Sequence, residues 1–85
     1  TLNLDQNQIS KIENLNKLVN LQTLNLNNNK ITKIENLDNN INLKELYLSN
    51  NKISKIENLD KNINLTYLYN FHELVGVTWQ SLFPQ

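Results

Sequence analysis

Leucines and isoleucines recur along this chain at one fixed interval. A shift of 22 residues lays Leu21-Gln22-Thr23-Leu24-Asn25-Leu26-Asn27-Asn28-Asn29-Lys30-Ile31 onto Leu43-Lys44-Glu45-Leu46-Tyr47-Leu48-Ser49-Asn50-Asn51-Lys52-Ile53. The same shift carries Lys33-Ile34-Glu35-Asn36-Leu37 onto residues 55 to 59, and backwards onto residues 11 to 15. The apolar columns are Leu2/Leu24/Leu46/Leu68, Leu4/Leu26/Leu48, Ile9/Ile31/Ile53, Ile12/Ile34/Ile56, Leu15/Leu37/Leu59, Val19/Ile41/Ile63 and Leu21/Leu43/Leu65. Asn7, Asn29 and Asn51 form an unbroken asparagine column. A period of this length is the mark of stacked repeats, in which one unit cannot bury its leucines alone and its neighbours must cover them.

Within each unit the x-L-x-L segment alternates, which predicts a short strand with leucines on the core side and their neighbours on the other. Successive strands then pair in parallel on the concave face of a curved stack. The ladder asparagines Asn7, Asn29 and Asn51 follow each strand, where a side-chain amide can satisfy main-chain groups left by the turning chain. Beyond them, Ile9, Ile12, Leu15 and their equivalents recur every three residues, a spacing that suits a tight return of 3₁₀ character. The expected fold is therefore an α/β leucine-rich-repeat solenoid, with short parallel strands on the concave face and 3₁₀ or short helical turns on the convex face. Lys11, Glu13 and their copies sit between the isoleucines as a charge-balanced outer surface.

The wording N-x-I-x-K-I-E-N-L, a spacer and then N-L-x-x-L-x-L resembles the 22-residue repeats of protein phosphatase 1 regulatory subunits. The outer-arm dynein leucine-rich light chain carries similar units. The likeness covers about residues 1 to 69, and its Ile-Glu-Asn-Leu element occurs at Ile12, Ile34 and Ile56. The spacer departs from it, since Leu18 gives way to Asn40 and Asn62 in the later units. The resemblance implies a protein-docking module on the phosphatase catalytic subunit, in the cytoplasm or nucleus. The alternative is a structural adaptor in dynein or ribonucleoprotein assembly.

Residues 1 to 69 are expected to form three to four repeats, and Thr1 enters in the middle of a strand motif, as if a preceding part were missing. Residues 70 to 85 leave the period and hold the only His, Gly, Trp and Pro. Their apolar residues, Phe71 and Trp79 among them, would suit a cap over the open core; an unrelated tail is the other reading. Val77-Thr78-Trp79 resembles the core of a phosphatase-docking peptide but lacks the customary basic residue before it. Asn64-Leu65-Thr66 matches a glycosylation sequon, but Leu65 belongs to a core column.

Composition narrows the function. The 85 residues carry 8 Lys+Arg against 8 Asp+Glu, with no Cys and no Met. A chain this short builds one thin core and no large enclosed cleft. Balanced charge argues against a nucleic-acid partner, and no apolar run reaches the roughly 20 residues of a membrane span. One histidine, His72, provides neither a two-histidine metal site nor a nucleophile at a recognisable spacing, so no enzyme, metal or cofactor is expected. The reading is a monomeric, non-enzymatic module.

The concave columns are where a partner would dock, because neighbouring strands present a rigid grid of side chains. Column one is Thr1, Thr23, Glu45 and Tyr67; column two is Asn3, Asn25, Tyr47 and Tyr69; column three is Asp5, Asn27, Ser49 and Phe71. Glu45, Tyr47, Tyr67 and Tyr69 lead as binding residues, since tyrosine buries large area with few rotors and keeps a hydroxyl. Asn25, Asn27, Ser49 and Asp5 complete the candidate face. Tyrosines also suit half-exposed strands for reasons of propensity alone.

Overall fold

A computed structural model describes residues 1–69; the cap, the Val77-Thr78-Trp79 segment, His72 and Phe71 lie outside the described residues. Four strands, β1 (Leu2–Asn3), β2 (Thr23–Asn25), β3 (Glu45–Tyr47) and β4 (Tyr67–Tyr69), form one sheet in the order β1-β2-β3-β4. All pairs are parallel, and the register equals the repeat: Leu2 opposes Leu24, Leu24 opposes Leu46, and Leu46 opposes Leu68. Main-chain bonds extend the pairing beyond the strands, with the Leu26 and Leu48 amides donating to the Tyr47 and Tyr69 carbonyls at 2.8 and 2.7 Å.

Behind the sheet lies one continuous core of Ile12, Leu15, Leu21, Leu24, Leu26, Ile31, Ile34, Leu37, Leu43, Leu46, Leu48, Ile53, Leu59 and Leu65. Each fully buried leucine or isoleucine contributes about 1.5–3 kcal/mol by leaving water. Leu2, Leu4 and Ile9 of the first repeat are only half-buried, whereas their counterparts Leu24, Leu26 and Ile31 are enclosed. The difference is the covering that each inner repeat receives from both neighbours.

One expectation needs correcting. No helix, α or 3₁₀, occurs among the described residues. The backbone at Asn14, Asn36 and Asn58 is left-handed, with φ of 63°, 61° and 60°, and it falls between the second and third apolar residues of each return. A left-handed residue interrupts any right-handed turn there. The apolar spacing of three was consistent with a 3₁₀ turn but is shared by extended backbone of three residues per turn. Three-residue turn bonds do exist, one segment later: Leu18 to Leu15 and Leu21 to Leu18, then Asn40 to Leu37 and Leu43 to Asn40, at 3.0–3.1 Å. The apolar column Val19, Ile41 and Ile63 is exposed at 47%, 51% and 84%. These residues sit inside the second of the paired turns, which aims them away from the core.

Asparagine carboxamides tie the stack together. Asn29 donates to the Leu4, Leu26 and Asn27 carbonyls at 3.0–3.1 Å and accepts the Ile9 amide at 3.0 Å. Asn51 repeats the arrangement one unit on, with Leu26, Leu48 and Ser49 carbonyls and the Ile31 amide. Asn7 makes only the local part, to Leu4 and Asp5. Further columns reach back in the same way: Asn36 and Asn58 to Ile12 and Ile34, Asn42 and Asn64 to Val19 and Ile41. Asn40 and Asn62, which replace the spacer leucine, are buried and donate to Leu15 and Leu18, and to Leu37 and Asn40. Among the described residues their Oδ1 atoms have no partner, which offsets part of that gain.

Asn51→Ala is predicted to cost about 2–4 kcal/mol, since it strands a buried amide and carbonyls together, whereas exposed Asn7→Ala costs less than about 1 kcal/mol. Urea unfolding of both variants measures the difference; equal losses would refute the cross-repeat role. Asn50 also has a left-handed φ, of 59°. There Asn50→Val is expected to destabilise by about 1–2 kcal/mol and Asn50→Gly to be close to neutral in the same assay.

Candidate functional site

Strand alternation turns Glu45, Tyr47, Tyr67 and Tyr69 to the side opposite the leucines, and the parallel register sets Glu45 beside Tyr67 and Tyr47 beside Tyr69. The three rings form a stack with Tyr69 in the middle. Tyr69 lies 5.7 Å from Tyr47 at an interplanar angle of 23°, and 5.5 Å from Tyr67 at 5°. Those spacings fall within the favourable range for aromatic pairs, about 4.5–7 Å. The Tyr47 hydroxyl donates to Glu45 Oε1 at 2.5 Å, linking two residues that share one face of β3. Tyr47 and Tyr69 are half-buried by the stack, and Tyr67 is 52% exposed. The result is a stacked aromatic shelf with a carboxylate at its side.

The remaining candidates are spread along the same face and are engaged with the backbone. Asn25 Oδ1 accepts the Asn27 amide at 3.0 Å, as Asn3 Oδ1 accepts that of Asp5. Tyr47 occupies the equivalent place in the third repeat and has no amide to offer. There Asn27 Oδ1 reaches across from the preceding repeat and takes the Ser49 amide at 2.7 Å. Asp5 Oδ1 accepts the Asn28 carboxamide at 2.8 Å, and Asn50 in turn donates to Asn28 Oδ1. Asn25 lies beside Tyr47 in register and Ser49 follows it by two residues, whereas Asp5 belongs to the first repeat, two strands away from β3. Asn28 and Asn50, which sequence reasoning passed over, form a polar line along the strand ends. Their position immediately before the ladder column, with φ of 60° and 59°, is the signal that could have found them.

A separate hollow of about 350 Å³ is lined by Glu13, Asn14, Leu15, Asn16, Asn36, Asp38 and Asn39, none of which belongs to the concave columns. Among the described residues no three His, Cys, Asp or Glu side chains gather as metal ligands would.

The hydrogen bond to Glu45 is the main cause that raises the Tyr47 phenol above its ordinary value of 10.0, with burial and the Glu45 charge adding to it. The carboxylate favours the neutral, donating phenol. A raised folded-state value means that the interaction supports folding at neutral pH and is lost as pH rises through that value, above 10. Titration of ¹³C-labelled tyrosine by NMR is expected to show Tyr47 ionising above 10, and Glu45→Gln bringing its midpoint down. An unmoved midpoint would remove the carboxylate as the cause.

Comparison with known families fits this geometry. A model described as Leucine Rich repeats (2 copies) matches residues 1–39, and one described as Leucine Rich Repeat matches residues 42–63. No curated protein matches the chain. Such repeats are generally non-enzymatic modules that bind other proteins. With both matches falling on the units that stack into the parallel sheet, the chain belongs to the leucine-rich-repeat proteins.

Proposed function

We propose that this chain is a non-enzymatic protein-interaction module that docks its partner on the concave sheet. The observation that carries the reading is the stacked trio Tyr47, Tyr69 and Tyr67 with Glu45 bonded into it. Rings held in place before binding lose little entropy on contact, and tyrosine is among the residues that dominate interface energy. Asn25, Asn27, Ser49 and Asp5 form the polar surround, where contacts exclude water more than they add affinity.

The partner we favour is the catalytic subunit of protein phosphatase 1, in the cytoplasm or nucleus. That choice rests on the resemblance of the Ile-Glu-Asn-Leu units at Ile12, Ile34 and Ile56 to phosphatase regulatory subunits.

Calorimetric titration of the chain against that catalytic subunit tests the proposal, with circular dichroism confirming a folded sheet. Binding is expected, and Tyr47→Ala/Tyr67→Ala is expected to weaken it at least tenfold, as loss of an aromatic anchor does in order of magnitude, about 1.4 kcal/mol per decade. Absence of binding by the folded chain would reject the phosphatase as partner. Binding that the double variant retains in full would move the contact off the tyrosine shelf.

A further inference from the structure

Charge is unevenly shared between the faces of this neutral chain. The described concave columns hold two carboxylates, Asp5 and Glu45, and none of the eight lysines. Seven of the eight lysines fall in the returns or turns and the eighth, Lys44, is exposed immediately before β3, so the compensating positive charge lies off the concave columns. A face of one sign draws partners of the other.

The two carboxylates differ in what they already hold. Asp5 is engaged by the Asn28 carboxamide at the strand end. Glu45 is half-buried and receives a hydrogen bond at Oε1 from Tyr47, and among the described residues it has no cationic partner. The one ion pair among the described residues, Lys55 to Glu57 at 3.5 Å, lies elsewhere. A carboxylate has two oxygens and about four acceptor sites, so a single phenol leaves most of its capacity open. Tyr67 stands beside it in register on the adjacent strand, about 4.8 Å away by sheet geometry. The Tyr67 ring is backed by Tyr69 in a nearly parallel stack and is 52% exposed. An aromatic face and a carboxylate one strand apart both attract the same kind of group, a cation.

We propose that this face accepts an arginine side chain of its partner, the guanidinium lying on the Tyr67 ring and pairing with the Glu45 carboxylate. The inference rests on the concave sheet being the docking surface and names the chemistry that surface selects. Guanidinium fits better than ammonium. It is flat enough to stack on a ring, carries paired N–H donors that match a carboxylate, and gives up its hydration more readily. The Tyr47 hydroxyl holds Glu45 in one orientation before the cation arrives, and Tyr69 does the same for Tyr67. Neutral or acidic side chains gain nothing from the carboxylate.

Acetyl-Ala-Arg-Ala-amide, its lysine analogue and its citrulline isostere, which keeps the shape without the charge, test this by NMR on the isotope-labelled full chain. The arginine peptide is expected to shift the Glu45 side-chain carboxyl and Tyr67 ring signals saturably, at least about fivefold more tightly than the citrulline peptide, with lysine between them. Glu45→Gln, which keeps size and shape, should bring arginine down to the citrulline level. Equal shifts from arginine and citrulline, shifts confined to Glu13, Glu35 and Glu57 on the outer surface, or no shift at all would each overturn the inference. Calorimetry against the phosphatase reads the docking surface separately. Binding there that Glu45→Gln leaves unchanged would sink the arginine site and spare the docking reading.

Discussion

Each repeat reaches back to the one before it through an asparagine carboxamide, and the stacking depends on that group. A chain that turns out of a strand every 22 residues leaves carbonyls and amides facing inward, where water cannot serve them. A carboxamide carries donors and an acceptor at one short tether, so Asn29 alone satisfies Leu4, Leu26, Asn27 and Ile9. Glutamine would sit one carbon too far out, and leucine would satisfy nothing. The same residue also tolerates left-handed backbone, which Asn14, Asn28, Asn36, Asn50 and Asn58 adopt in a chain with a single glycine. Asparagine is the commonest residue here because two separate demands of the turn converge on it.

That convergence explains what was legible in advance. Leucines that point inward and must meet the same leucine of the next unit repeat strictly, so the strand register of Leu24 on Leu46 could be read from spacing alone. The placement of Glu45, Tyr47, Tyr67 and Tyr69 on one face followed from alternation. The return path was harder, because a spacing of three fits both a tight 3₁₀ turn and extended backbone of three residues per turn. The left-handed Asn36 decides between them, and its conformation leaves no periodic trace distinct from the repeat itself. Val19, Ile41 and Ile63 recur as strictly as the core leucines and are nevertheless exposed. A repeat preserves outward residues as faithfully as inward ones, so recurrence of an apolar position is not burial. Asn40 shows the converse, a polar residue fully buried at a place where the first unit has Leu18.

The tyrosines stand where the repeat breaks its own rule. Asn3 and Asn25 close a small side-chain turn onto the amide two residues later, and Tyr47 cannot. The orphaned Ser49 amide is taken by Asn27 from the neighbouring repeat instead. A local preference was given up at one column and repaired from an adjacent one, which is the pattern expected where a surface serves something besides folding. Tyr69 repeats the substitution in the next strand, so the two rings can stack only because both units departed together. Propensity accounts for one tyrosine in a strand. It does not account for a pair in register, with a third ring parallel to it and a carboxylate bonded into the group.

The outer charges act differently from the inner ones. Lys55 and Glu57 approach to 3.5 Å with the lysine side chain 70% exposed, a pair that contributes little to stability because water screens it and two long side chains must be held still. Lys11 with Glu13 and Lys33 with Glu35 repeat the same alternation of sign in sequence and keep that surface nearly neutral at short range. Glu45 has no such lysine, and its half-buried position weakens screening. A field that outer pairs cancel locally therefore survives on the concave side, within a distance of about 8–10 Å at ordinary salt. The strand alternation that buries the leucines also turns Asp5 and Glu45 to the opposite side of the sheet. The composition of that face thus follows from the same alternation that sets the core.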